Sequence, residues 1–305
     1  MERFFGEAPF SRLQPLPDPF PEPVYIRLFL KRDDELHPLV SGNKWRKLKY
    51  NLLEARRTGQ DTLLTFGGAF SNHIYAVAAA GRTFGFSTIG IIRGEDYGER
   101  ETPTLAFARE QGMHLHFISR TQFRNQTDAA FRQSLRHRFG PFYEIPEGGT
   151  NALAVRGTAE ILPEITQQLG RPPDFVCCPV GTGGTAAGLL ASATTETRVI
   201  GFAVLKGLAP DCIERLSSDL PGTSFKAPSQ ILDAHFGGYA KTTPALIQAI
   251  RDVEARTGVR FDQVYTGKMM VALFDLCPKG FFPAGATVVA VHTGGLQGRS
   301  PELDA

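Results

Sequence analysis

Lys44 sits in Ser41-Gly42-Asn43-Lys44-Trp45-Arg46-Lys47, where a segment with helical spacing begins. The first turn of a helix carries a partial positive charge, which disfavours an ammonium group there. A lysine so placed is biased toward its neutral amine, the form that attacks an aldehyde. Far downstream, Gly181-Thr182-Gly183-Gly184-Thr185 joins an apolar run to a second helical segment. Glycines at such a junction let backbone N–H groups approach an anion, and Thr182 and Thr185 add hydroxyl donors. An imine-forming lysine and a phosphate cradle in one chain imply a phosphorylated aldehyde, of which pyridoxal phosphate is the natural candidate.

Three further groups have types and settings suited to a site. In Gly67-Gly68-Ala69-Phe70-Ser71-Asn72-His73, a strand turns into a helix. Ser71 or Asn72 is either the helix cap or part of a seat for the carboxylate of an amino acid, and His73 adjoins them. Tyr239 follows Gly237-Gly238, and Tyr265 opens Tyr265-Thr266-Gly267-Lys268 in what reads as a turn. Each is a packing tyrosine or a member of a site. Thr293 ends an apolar strand before Gly294-Gly295, placed either in a plain turn or against a pyridine nitrogen. A dinucleotide is the competing reading of the Gly181–Ala186 loop, since it fits G-x-G-x-x-A. That reading needs an acidic residue after the next strand, and Ala203-Val204-Leu205-Lys206 has none.

The elements that must position these residues alternate. The pattern predicts strands at 24–30, 62–66, 87–92 and 114–118, with helices at 44–57, 73–84 and 103–111 between them. A second round predicts helices at 157–169, 186–193 and 243–257, and strands at 174–180, 198–204 and 287–291. The proline-rich stretch from Pro15 to Pro23 should run extended over the surface. Such alternation specifies an α/β fold with mainly parallel sheets covered by helices. We divide it into a larger cofactor-binding domain, 1–47 with 151–305, and a smaller domain, 48–150. The cofactor is expected in the cleft between them, at the carboxyl ends of the strands.

Composition excludes several classes. The chain has 305 residues with 33 Lys+Arg against 31 Asp+Glu, a net charge of +2. That gives no general drive toward nucleic acid, and Arg132–Arg138 reads as a solvated helix face. No apolar run has the roughly 20 residues of a membrane helix. The start, Met-Glu-Arg-Phe-Phe, lacks the pattern of a secretory leader. Four cysteines, two of them adjacent, make no disulfide framework, and the seven histidines show no metal-ligand spacing. A reduced, cytoplasmic, metal-free protein is expected.

From about residue 24 to 298 these segments resemble the fold-type II pyridoxal-phosphate enzymes. Within that group they are similar to the 1-aminocyclopropane-1-carboxylate deaminase and D-cysteine desulfhydrase family. Ser41–Lys47 resembles the family's Gly-Gly-Asn-Lys-Thr-Arg-Lys, which implies that Lys44 carries the cofactor as a Schiff base. Phe70-Ser71-Asn72 stands where the family has Gln-Ser-Asn. The resemblance implies that Ser71 meets the substrate carboxylate or acts as nucleophile, and that Asn72 bonds the cofactor's phenolic oxygen. It implies that Gly181–Thr185 holds the phosphate and that Thr293 lies near the ring nitrogen. Tyr239 and Tyr265 match the family's two active-site tyrosines. Thr266, in place of the deaminase's glutamate, and His73, in place of its glutamine, resemble the desulfhydrase and read as substrate-binding. Trp45, Phe70 and Tyr75 are three bulky departures expected around the cleft.

A neutral hydroxyl at the ring nitrogen weakens the cofactor's electron sink and favours loss of a β-group over transamination. The resemblance thus implies α,β-elimination on a small amino acid such as D-cysteine, giving keto acid, ammonia and hydrogen sulfide. Ring opening of 1-aminocyclopropane-1-carboxylate is the alternative, and a non-catalytic cofactor- or amino-acid-binding protein is the reading from another class. A homodimer is implied by resemblance alone.

Overall fold

The computed structural model describes residues 10–207, 213, 216, 227–238 and 241–305, so Tyr239 lies outside the described residues. Two sheets organise them. The larger has the order β1-β2-β10-β7-β8-β9, made by Leu13–Pro15, Arg27–Lys31, Thr287–Val291, Phe175–Val180, Arg198–Ala203 and Ser229–Asp233. All its neighbours pair in parallel except β1, which runs antiparallel to β2 at the edge. An edge strand tolerates Pro15, because its missing N–H faces no partner. The smaller sheet is wholly parallel in the order β5-β4-β3-β6, from His114–Ile118, Ser87–Arg93, Thr62–Gly68 and Tyr143–Ile145.

The helices are α1 (Asn43–Arg57), α2 (Asn72–Phe84), α3 (Pro103–Glu110), α4 (Arg120–Arg124), α5 (Ala129–Phe139), α6 (Ala152–Thr158), α7 (Ile161–Leu169), α8 (Gly184–Ser192), α9 (Pro244–Thr257) and α10 (Thr266–Leu276). They cover both faces of each sheet. On the larger sheet, Leu246 and Ile250 of α9 and Met269 and Leu273 of α10 pack on Leu28, Cys177 and Val288. On its other face, Ile161 and Ile165 of α7 and Leu189 of α8 pack on Val176, Val180 and Val289. Strands buried on both sides read as continuous apolar runs, and every residue of β7 and β10 is buried. On the smaller sheet, α1, α2 and α3 fill one face, while Phe123 and Leu135 of α4 and α5 fill the other.

Most elements fall within two or three residues of the pattern, with two informative differences. The helix read over 157–169 is two helices, α6 and α7. Pro163 cannot donate to the carbonyl of Ala159 and its ring crowds that turn, so the helix restarts with the proline in its first turn. The turn read at 264–268 is instead the start of α10. Asp262 accepts the N–H groups of Val264, Tyr265 and Thr266 and so initiates that helix.

The carboxyl ends of β3, β7 and β10 lead into the loops 67–72, 181–184 and 292–295, and these converge on the start of α1. Gly42 makes the convergence possible. It adopts φ +64°, and a Cβ there would stand 1.9 Å from the carbonyl oxygen of Thr293. Thr293 O also accepts the N–H of Asn43 at 3.1 Å. Gly42→Ala must strain the backbone by about 1–3 kcal/mol and also push these two loops apart. We expect that variant to purify without bound cofactor, which its visible spectrum reports.

Candidate active site

A cleft of about 570 Å³ opens between the two sheets. Lys44, in the first turn of α1, lines it, as do Ser71, Asn72, His73, Tyr265, Thr293 and Gly181–Thr185. Eleven positions predicted from sequence thus meet in one place, although they come from three loops, the first turns of α1, α2 and α8, and the cap of α10.

Lys44 is half-buried in the wall of the cleft. Its Nζ donates to Asn43 Oδ1 at 3.3 Å. Burial lowers its pKa from the ordinary 10.5 to about 8. The sequence argument invoked the helix terminus, but desolvation is the cause that dominates here. Compared with an ordinary lysine, the neutral fraction at pH 7 is about 300-fold larger, from the ratio of 10 raised to 10.5 and to 8. Because only the neutral amine attacks an aldehyde, cofactor capture by the cofactor-free protein should quicken as pH rises, reach half its maximum near pH 8 and level off about a unit above. Stopped-flow absorbance checks this, and a rate still climbing steeply beyond pH 9 would contradict it.

The glycine loop forms an anion cradle. Gly183 caps α8 at φ +82° with no side-chain bond to the first turn, so that turn's N–H groups face the cleft. A Cβ on Gly184 would sit 2.9 Å from Thr150 Oγ1 and 3.0 Å from Lys47 Nζ. Thr185 is buried and accepts a hydrogen bond from Asn43 Nδ2 at 2.9 Å, tying the cradle to the start of α1. The ring of Tyr265 lies against Gly181, with Cε1 3.1 Å from where a Cβ would be.

Lys47 is a site residue that the sequence reading passed over. It is buried, and its Nζ donates to Gly148 O at 3.1 Å and Thr150 Oγ1 at 3.2 Å. Among the described residues no carboxylate pairs with it. Burial, with the nearby Lys44 charge, lowers its pKa well below the usual lysine value. A buried ammonium beside an open helix N-terminus fits a bound phosphate, which would supply the missing counter-charge. Its spacing of three from Lys44, which puts both on one helix face, was the available sequence signal.

Ser71 caps α2. Its Oγ accepts from His73 N at 3.2 Å and Ile74 N at 3.3 Å. Both acceptor positions are thereby engaged, and the hydroxyl proton is left to donate into the cleft. Asn72 is tucked against Gly295 and Gly298, whose Cβ positions lie 3.3 Å from Nδ2 and 3.2 Å from Oδ1. His73 is buried, and its Nε2 meets Thr65 Oγ1 at 2.8 Å. That hydroxyl donates to Ile145 O, so His73 carries its proton on Nε2. Its Nδ1 has no hydrogen-bond partner among the described residues. Burial, then Lys44 and Lys47, pushes its pKa well down, so the ring is neutral.

Three expectations need correction. Thr266 is not at the cleft: it is fully buried, and its hydroxyl donates to Asp262 Oδ1 at 2.6 Å. It serves the cap of α10 and cannot touch a substrate there. Trp45 faces the core that covers the smaller sheet, stacked on His37 at 5.1 Å. Tyr75 stacks on Phe107 at 3.7 Å and does not line the cleft. Of the three bulky departures only Phe70 lines it, exposed and edge-on to Tyr97 at 6.0 Å.

The family model for pyridoxal-phosphate dependent enzymes matches residues 2–294. The chain belongs to this family. Among relatives of this pyridoxal-phosphate enzyme is a protein of Pyrococcus abyssi named as a putative 1-aminocyclopropane-1-carboxylate deaminase. It is 31% identical over 90% of this chain and 86% of its own length. The bifunctional D-cysteine desulfhydrase/1-aminocyclopropane-1-carboxylate deaminase of Arabidopsis thaliana, a mitochondrial protein, is 30% identical over 100% of this chain and 86% of its own. A solved structure of an ACC deaminase homologue superposes with TM-score 0.83 at 29% identity, covering 95% of this chain and 91% of that one. The α/β architecture and the cofactor predicted from sequence are therefore those of the family. Among the described residues no helix is long and apolar enough to cross a membrane.

Proposed function

We propose that this enzyme is a lyase that removes a β-substituent from a small amino acid such as D-cysteine, releasing pyruvate, ammonia and hydrogen sulfide with uptake of one water. The observation that carries the proposal is Lys44: an amine half-buried in the cleft, biased toward neutrality, between a phosphate cradle and the capping hydroxyl of Ser71. When bound, pyridoxal phosphate supplies an aldehyde for the amino group and a ring that accepts electrons from Cα. Lys44 forms the covalent link and, once free, takes the Cα proton as general base. The cradle and Lys47 would hold the phosphate, and Asn72 and Thr293, which line the same cleft, would serve the ring. Ser71 donates to the substrate carboxylate, and its engaged lone pairs favour this role over attack. Tyr265, held against Gly181, would shield the reacting carbon, and by resemblance Tyr239, outside the described residues, would be the second active-site tyrosine.

Ring opening of 1-aminocyclopropane-1-carboxylate is the second reading, supported by the names of the relatives in Pyrococcus abyssi and Arabidopsis thaliana. Keto-acid release separates the two: pyruvate from D-cysteine supports the first, and 2-oxobutyrate without turnover of D-cysteine overturns it. A homodimer and a cytoplasmic location belong to the same proposal, the second supported by buried free thiols at Cys177, Cys178 and Cys277. Lys47→Met should weaken cofactor binding about tenfold or more, by removing a charge-assisted bond to phosphate. Equilibrium dialysis of the cofactor checks it.

A further inference from the structure

The cleft holds more positive charge than the proposed reaction uses. Five cationic side chains line it, Lys44, Lys47, Arg93, Arg120 and Lys206, against one carboxylate, Glu147. Lys44 and Lys47 are accounted for by the cofactor, and the substrate carboxylate by Ser71 and the start of α2. Glu147 already accepts from Gln126 Nε2 at 3.0 Å. Arg93, Arg120 and Lys206 remain, and the two arginines carry the planar, paired donors suited to an anion.

Their placement follows from the sheet. Gly68, Arg93 and Ile118 form one row across the carboxyl ends of β3, β4 and β5. Arg93 Nη2 lies 3.4 Å from where a Cβ on Gly68 would stand, above the loop that carries Ser71. Ser119 caps α4, which makes Arg120 the first residue of that helix. Both guanidinium groups are exposed at the cleft and have no carboxylate partner among the described residues, and that of Arg93 lies over the ring of Phe123 at 5.3 Å. Guanidinium groups match carboxylate and phosphate oxygens in pairs. Phe70 and Tyr97 line the same cleft, edge-on to each other at 6.0 Å.

We propose that the substrate is a small amino acid whose side chain ends in a second anion, a phosphate, sulfonate or carboxylate, read by Arg93 and Arg120. This rests on the lyase reading only for which face of the cleft receives the amino acid. The test compares serine with O-phosphoserine, in both enantiomers, by calorimetric titration of the holoenzyme and by keto-acid release. O-Phosphoserine should bind at least about tenfold more tightly than serine at low salt, and Arg93→Gln with Arg120→Gln should remove most of that advantage. Equal binding of the two amino acids by the unaltered enzyme would overturn the proposal. So would an equal loss for both in the variant, since Arg93 would then serve only the common carboxylate. Tight, arginine-dependent binding of O-phosphoserine with no keto acid from any amino acid would uphold this inference and retire the lyase.

Discussion

Lys44→Ala is expected to lower turnover by at least about a thousandfold, because one residue supplies both the covalent link and the proton-transferring base. The fold should survive. Lys44 is an amine that burial pushes toward neutrality, with pKa about 8 against an ordinary 10.5. A lysine whose folded pKa is depressed destabilises the folded chain most fully below pH 8, and that penalty fades as pH rises toward 10.5. Removing it relieves the penalty at neutral pH, while the lost packing of its aliphatic stem acts the other way. The cofactor-free variant should therefore unfold within about 1 kcal/mol of the parent. Lys47 lies one helical turn away but is spent on Gly148 and Thr150, so it should not replace Lys44. Turnover retained in the variant would remove Lys44 from its role.

Arg46→Met is expected to act through the fold. Arg46 is buried, and its guanidinium donates to both oxygens of Asp33, at 2.6 and 2.8 Å, and to both oxygens of Glu164, at 2.7 and 2.8 Å. Lys31, also buried, meets Glu164 at 2.8 Å, and Ser11 donates to Asp33 at 2.6 Å. The network joins β2, α1 and α7 through a residue two positions after Lys44. Breaking a buried pair from one side leaves an uncompensated charge and costs about 3–5 kcal/mol. Burial alone would raise the Asp33 carboxyl, but Arg46, aided by Ser11 and Lys31, overcomes it and holds the pKa below the usual carboxylate value. In the parent, Asp33 therefore contributes stability above pH 4 that is lost as the pH falls through its lowered folded pKa. In the variant the sign reverses: an orphaned Asp33 favours its proton, so the deficit should be smaller at pH 5 than at pH 8. Adding Asp33→Asn should recover part of the loss. Denaturant titrations at both pH values decide it, and a deficit independent of pH would mean that packing, rather than charge, carries the effect.

The architecture was readable because strand–helix alternation and glycine punctuation are local. Lys44 and the loops at 67–73, 181–185 and 293–295 announce themselves by residue type alone. The Arg46 network was not readable, since Arg46 and Glu164 lie 118 residues apart and neither position differs in type from a surface charge. Trp45 was misread for a reason that the sequence contains. It shares a helical face with Leu48, Leu52 and Ala55, which all face the core, whereas Lys44 and Lys47 point the other way. Thr266 reads as a pocket residue only because it stands where the resembling deaminase has its glutamate. Asp262, four residues earlier, was the sign that a helix begins there and that the threonine belongs to its cap.

The central claim, that Lys44 is the amine bonded to the cofactor, is tested most directly by borohydride reduction of the holoenzyme followed by peptide mass mapping. The structure predicts a reduced pyridoxyl group on the peptide that holds Lys44 and on no other. A label on Lys47 or Lys268, or a cofactor released intact after reduction, would contradict it.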